Sequence, residues 1–246
     1  MKPVTGEPPT PRGNWSGATL LPPLPLLAGG LIVSCQAGPL DPLYGPAFMA
    51  GMARAAAVGG AVAVRANGPD DVAAIREAVS LPIIGIWKVD IPGLGVRITP
   101  GVEHARAMAT AGASIIAVDA TDRARIDGMG VADWIALVRR ETGLAVMADV
   151  SSFEEGLMAA SAGADLVATT LAGYVEGASS TNGPDLDLVA RLAAELRVPL
   201  IAEGRISTPE EAEQAIELGA YAVTIGNAIT RPEWITARFV AALRGR

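Results

Sequence analysis

Lysine occurs at two positions in this chain of 246 residues, Lys2 and Lys88, against 17 arginines. Lys2 lies in a proline- and glycine-rich N-terminal stretch, which leaves Lys88 as the ammonium expected in the folded body. It closes the apolar run Leu81-Pro82-Ile83-Ile84-Gly85-Ile86-Trp87, where a buried strand should finish. An arginine keeps its charge inside a protein, whereas a desolvated lysine can lose its proton near neutral pH. Lys88 is therefore a candidate for proton transfer or Schiff-base chemistry. The plainer alternative is a lysine that leaves a strand end and snorkels to water.

Other apolar runs also stop at polar groups: Gln36, Arg65, Asp119, Asp149, Thr169 with Thr170, and Glu203. Period-two alternation sets Ser34 and Gln36 on one face and Cys35 on the other, so Cys35 is expected to be a core residue and not a nucleophile. One amine, several carboxylates and an arginine suit proton shuttling beside a carbonyl and hydrogen bonding of a polyhydroxylated ligand. A phosphate site is suggested by Glu203-Gly204-Arg205 and by Gly226-Asn227-Ala228-Ile229-Thr230-Arg231-Pro232. Backbone N–H groups of Gly204, Gly226 and Asn227, with the Arg205 and Arg231 side chains beside them, could cradle phosphate oxygens.

These groups need a scaffold that brings strand ends together. From Gly30 onward, apolar runs at 31–36, 61–65, 82–88, 114–119, 144–149, 165–170, 199–203 and 221–226 alternate with amphipathic segments, and the run ends recur every 21 to 33 residues. Nearly continuous apolar runs are the mark of parallel strands covered on both faces. Helix starts are legible at Ser151-Ser152-Phe153-Glu154-Glu155 and at Thr208-Pro209-Glu210-Glu211, a capping box with proline in the first turn. Ala-Gly-Ala and Leu-Gly-Ala steps at 111–113, 162–164 and 218–220 punctuate helix-to-strand turns. The expected fold is an α/β protein, a (β/α)8 TIM barrel, with chemistry at the C-terminal ends of its strands. A doubly wound open sheet is the weaker option. The connection at 171–184, rich in glycine and serine, has the composition of a lid or, equally, of a plain solvated loop.

Composition excludes several classes. A net charge of −7 without a basic block gives no electrostatic case for nucleic acid. No apolar stretch is long enough to span a bilayer, so no membrane partner is expected. One cysteine rules out an intrachain disulfide framework and fits a reducing compartment, hence a cytoplasmic location. The one histidine, His104, sits beside Glu103 and Arg106 in a helical pattern and is expected at the surface, so no metal site and no cofactor is legible. Prolines at 3, 8, 9, 11, 22, 23 and 25 divide the chain into a disordered extension, 1–27, and a catalytic barrel domain, 28–246. If the chain associates at all, a homodimer is the expectation.

The segments Gly30-Leu31-Ile32-Val33-Ser34-Cys35-Gln36-Ala37, Arg65-Ala66-Asn67-Gly68, Leu81 to Lys88, Ile98-Thr99-Pro100, Val118-Asp119-Ala120-Thr121, Met147-Ala148-Asp149, Thr169-Thr170-Leu171, Ile201-Ala202-Glu203-Gly204-Arg205-Ile206 and Gly226 to Pro232 occur in order. Together they resemble the bacterial N-acetylmannosamine-6-phosphate 2-epimerases. The resemblance implies a (β/α)8 fold and an isomerase. Its substrates would be the small-molecule amino-sugar phosphates N-acetylmannosamine 6-phosphate and N-acetylglucosamine 6-phosphate, interconverted by proton transfer at C2 in amino-sugar and sialic acid catabolism. It implies acid/base roles for Lys88 and Glu203, and substrate binding by Gln36, Arg65, Asp149 and Arg231. The chain departs from the family pattern at 122–126, where Asp122-Arg123-Ala124-Arg125-Ile126 replaces a more basic run ending in proline, and at 175–177. Both loops bear on sugar and N-acyl specificity. A strand-end lysine beside a phosphate site also fits an aldolase or lyase, and a barrel with altered loops fits a non-catalytic sugar-phosphate sensor.

Overall fold

The fold is taken from a computed structural model that describes residues 20–175 and 183–245. The strands in chain order are β1 (Leu31–Cys35), β2 (Ala63–Asn67), β3 (Ile83–Ile86), β4 (Lys88–Ile91), β5 (Gly95–Ile98), β6 (Ile115–Asp119), β7 (Ala145–Asp149), β8 (Leu166–Ala168), β9 (Leu200–Glu203) and β10 (Ala222–Ile225). Eight of them close into a parallel barrel in the order β1-β10-β9-β8-β7-β6-β3-β2, with β2 paired back to β1. The remaining two, β4 and β5, form an antiparallel hairpin of their own. Helices α1 (Pro46–Val58), α2 (Pro69–Ala78), α3 (Val102–Thr110), α4 (Val131–Thr142), α5 (Phe153–Ser161), α6 (Leu186–Glu195) and α7 (Pro209–Glu217) connect successive barrel strands, and α8 (Asn227–Thr230) with α9 (Pro232–Leu243) follow the last. This is the (β/α)8 barrel that the alternating pattern predicts.

Two apolar layers hold it. The outer one, between strands and helices, includes Cys35, Val64, Ile116, Trp134 and Leu192. The inner one fills the barrel with Ile32, Ile84, Ile115, Met147, Leu166 and Ile201, all shielded from solvent. Alternation along each strand sorts side chains between the layers, and Cys35 falls in the outer one, where desolvation pushes its thiol pKa up to about 12. The helix starts are as the sequence dictates: Ser152 with Glu155 and Thr208 with Glu211 form complete capping boxes. His104 is only partly exposed, because its ring packs edge-on against Trp87 with centroids 4.9 Å apart.

Two expectations need correction. The run 82–88 is not one strand. It breaks at Trp87, whose backbone N–H donates to Thr99 Oγ1 and whose carbonyl accepts from Thr99 N–H, so that Lys88 opens the hairpin over the barrel mouth. Residues 24–27, expected to belong to a disordered extension, are instead ordered. Residues Leu24–Leu27 form a 3-10 turn whose two terminal leucines are buried in the inner core, and Tyr221 Oη donates to the Leu24 carbonyl at 3.1 Å. An apolar barrel floor must be covered, and prolines that forbid a long helix still permit one such turn. Residues 1–19 of the expected extension lie outside the described residues. Leu27→Ala should destabilise the protein by about 2–5 kcal/mol in urea unfolding, as loss of a buried leucine does; an unchanged midpoint would mean that this turn plugs nothing.

Candidate active site

A cavity of about 810 Å³ opens at the C-terminal ends of the barrel strands. Ser34 and Gln36 reach it from β1, Lys88 from the hairpin start and Glu203 from β9. Gly204, Gly226, Asn227 and Arg231 line the side formed by the last two repeats. Lys88 and Glu203 thus share one mouth. Lys88 follows β3 and Glu203 ends β9, and these strands are four places apart in either direction around the barrel. The amine and the carboxylate therefore come from opposite walls.

Beneath them lies a buried charge cluster. Arg65 is 1% exposed and Asp149 is fully buried. The guanidinium grips Asp149 with two hydrogen bonds, Nη1 to Oδ1 at 3.0 Å and Nη2 to Oδ2 at 2.6 Å. Its Nη1 also donates to Glu203 Oε2 at 2.8 Å and to Thr170 Oγ1 at 3.3 Å, and Thr170 Oγ1 donates to Asp149 Oδ1 at 2.5 Å. Such a bidentate fork is the strong form of an arginine–carboxylate contact. The Glu203 backbone is fixed as well: its N–H donates to Thr169 Oγ1 at 3.0 Å, and that hydroxyl donates back to the Glu203 carbonyl at 2.9 Å. Gly204, at φ +115°, follows in a conformation that side chains rarely adopt, and Arg205 is held at φ +56°.

The charges tune one another. Desolvation raises the Glu203 pKa above the ordinary carboxylate value, Asp149 pushes the same way, and the positive charges of Arg65 and Lys88 oppose both. For Lys88 the direction is reversed. Desolvation in the crowded rim, then the charge of Arg65, draws its pKa below the ordinary lysine value against the pull of Glu203 and Asp149. Lys88 is an exposed residue at the open mouth of the cavity. Burial works against the Arg65 charge, but Asp149 and Glu203 overcome it and keep the guanidinium charged.

The sequence-derived site residues fall into two groups. Gln36, Lys88, Glu203, Gly204, Gly226, Asn227 and Arg231 come together around the cavity. Arg65 and Asp149, expected to hold substrate hydroxyls, do not line the cavity; both Arg65 Nη groups and the Asp149 carboxylate are engaged with each other, Thr170 or Glu203, while Arg65 Nε makes no hydrogen bond. The reason is depth: β2 runs on to Asn67, so Arg65 is two residues short of the strand end. Arg205 reaches the cavity but is committed to the loop between β8 and α6, donating to the carbonyls of Ala172 at 2.7 Å and Gly183 at 2.8 Å. Its guanidinium also stacks on Tyr174 at 5.3 Å. Arg231 pairs with Asp41 at 2.7 Å.

Three contributors escape the sequence reading. Asn67 Oδ1 accepts the Lys88 backbone N–H at 2.8 Å and so sets where the hairpin begins. Arg123, in the departing segment 122–126, lines the cavity and pairs with Asp119, which also accepts from Thr121 Oγ1 at 2.6 Å. Thr224 lines the cavity from β10. Only the flanks of the expected 171–184 lid, and only Val175 of the 175–177 departure, belong to the described residues. Among the described residues no group of three or more His, Cys, Asp or Glu is placed to hold a metal ion, and no helix is long and apolar enough to cross a membrane.

Residues 49–245 match the family model described as "Putative N-acetylmannosamine-6-phosphate epimerase". A relative from Cutibacterium acnes, named as a 2-epimerase of this kind, is 50% identical over 220 residues, covering 89% of this chain and 95% of that protein. One from Caldanaerobacter subterraneus subsp. tengcongensis, named likewise, is 48% identical over 221 residues, covering 89% and 93%. The solved structure of the N-acetylmannosamine-6-phosphate 2-epimerase from Clostridium perfringens superposes with a TM-score of 0.86 at 42% identity, covering 89% of this chain and 95% of that one. A deoxyribose phosphate aldolase from Aeropyrum pernix, at 19% identity and a TM-score of 0.59, shares the fold alone. With a barrel, a strand-end lysine and glutamate, and relatives of this similarity along nearly the whole chain, the protein belongs to the N-acetylmannosamine-6-phosphate 2-epimerase family.

Proposed function

We propose that this protein interconverts N-acetylmannosamine 6-phosphate and N-acetylglucosamine 6-phosphate by moving the C2 proton, without a cofactor, in the cytoplasmic breakdown of amino sugars and sialic acids. The observation that carries the mechanism is the placement of Lys88 and Glu203 on opposite walls of one cavity. Inverting a carbon by proton transfer needs a base on one face and an acid on the other, each with a pKa near the working pH. A carboxyl shifted upward and an amine shifted downward are both moved in the direction of that need.

The open-chain sugar has an acidic proton at C2, beside the aldehyde. Its phosphate is assigned to the wall of Gly204, Gly226, Asn227 and Arg231, with Asp41 releasing part of its hold on Arg231. Gln36 faces the sugar. Arg65 and Asp149 are reassigned from substrate binding to positioning: they fix the Glu203 carboxylate and set its charge. In heavy water, proton NMR of either sugar phosphate should show deuterium entering at C2 with no carbon–carbon cleavage. Lys88→Met should slow turnover by at least about 100-fold, the lower end for loss of a general acid/base, while ligand still binds. Near-normal turnover of that variant would remove Lys88 from the chemistry.

A homodimer forms part of the same proposal. Helix α9 has no buried residue, and Phe239 and Leu243 on it are 70% and 89% exposed. Beside α7, over β10 and β1, an apolar groove of about 1030 Å³ is lined by Leu31, Ala212, Ile216, Val223, Ile225 and Ile229. This is the slot that the eighth helix of the repeat would fill. Helix α9 of a second copy, laid there in exchange, would bury both surfaces at once. Light scattering at micromolar concentration should give a dimer that Phe239→Asp dissociates; a monomeric wild-type protein would refute the exchange.

A further inference from the structure

Two residues that line the cavity each carry a buried polar atom without a hydrogen-bond partner. The Thr224 hydroxyl belongs to a residue only 2% exposed and makes no hydrogen bond, and the same holds for the buried Gln36 Oε1. Gln36 is oriented by its other end, since Nε2 donates to Ser34 Oγ at 2.8 Å. That leaves the amide oxygen as a fixed acceptor. Both side chains stand on the seam between β1 and β10. Thr224 pairs in register with Ile32 on one side and with Glu203 on the other, so its hydroxyl stands at the level of the proposed acid/base. Gln36 lies farther along β1, nearer the rim. A buried hydroxyl without a partner costs free energy in the unliganded protein and is rare in folded chains unless it serves a ligand.

We propose that Thr224 and Gln36 together form the subsite for the acetamido group at C2, an inference that rests on the function proposed above. A secondary amide presents one N–H donor and one carbonyl acceptor pointing away from each other. Gln36 Oε1 accepts the N–H, and the Thr224 hydroxyl donates to the carbonyl. A 2-hydroxyl sugar cannot satisfy both groups across the same span, and a site left with unpaired buried polar groups discriminates against such a ligand. The level of Thr224 also places C2 beside Glu203. Neither Arg65 nor Asp149 is needed for this contact, in keeping with their place outside the cavity lining.

The experiment compares wild type with Thr224→Val, which keeps the shape and removes the hydroxyl, by calorimetric titration with N-acetylglucosamine 6-phosphate and with glucose 6-phosphate. Affinity for the acetamido sugar should fall about 10-fold, the equivalent of about 1.4 kcal/mol. Affinity for the hydroxyl sugar should stay within about 2-fold, and the melting temperature without ligand should hold or rise, because an unsatisfied group has gone. Thr224→Ser should recover most of the lost affinity. An unchanged affinity for the acetamido sugar, or an equal loss for both sugars, overturns the subsite while leaving C2 exchange by the wild type as evidence for the function. Wild-type protein that neither binds the acetamido sugar nor exchanges its C2 proton overturns both.

Discussion

The guanidinium of Arg65, buried between Asp149 and Glu203, is the contact on which the active-site geometry depends. Three strands that are not neighbours, β2, β7 and β9, are tied through it across the barrel interior. Removing one partner from such a buried pair costs about 3–5 kcal/mol, because the other charge is left uncompensated. Nη1, which shares in the bidentate grip on Asp149, also donates to Glu203 and so links the two carboxylates. A carboxylate held at its backbone by Thr169 and at its oxygen by Arg65 has little freedom to wander. In the proposed mechanism this preorganises Glu203 as an acid/base by means of the layer beneath it.

The same cluster sets the electrostatics of the mouth. A buried carboxylate next to another carboxylate resists ionisation, and an amine facing a fixed guanidinium resists protonation. Arg65 enters both balances. It restrains the rise at Glu203 and deepens the fall at Lys88, lowering both proton affinities, while desolvation is what shifts the two in opposite directions, the carboxyl up and the amine down. In the proposed mechanism, an upward shift on one wall and a downward shift on the other favour a proton leaving one face of a carbon and returning on the other.

The barrel and most of its rim are legible in the sequence because parallel strands covered on both faces read as apolar runs, and each run stops where the chain meets the cavity. Gln36, Lys88 and Glu203 are found this way. Depth is not legible. A charged residue ending an apolar run looks the same whether it reaches solvent or is neutralised by a partner 84 positions away, as Arg65 is by Asp149. Arg205 matches a phosphate-binding pattern, yet it is captured by carbonyls of a loop whose path no local signal specifies. The hairpin after Trp87 has a readable signature, turn residues Pro92-Gly93 and Gly95 between alternating Val89, Ile91, Val96 and Ile98. The apolar run 81–87 masks it, because Lys88 reads as the end of that run. Leu24 and Leu27 are hidden for another reason: proline content dominates the composition there, while two leucines three residues apart suffice to cap the barrel floor.

The most direct test of the account is the pH dependence of kcat/KM for the wild-type enzyme alongside Glu203→Gln. Activity that needs one group deprotonated and the other protonated rises with pH through the carboxyl's titration and falls through the amine's. The predicted profile is a bell whose acidic limb lies above the ordinary glutamate value of about 4.3 and whose alkaline limb lies below the ordinary lysine value of about 10.4. In Glu203→Gln the residual activity should lose the acidic limb and keep the alkaline one. Limbs at the ordinary values, or an acidic limb that survives the loss of the Glu203 carboxylate, would contradict it.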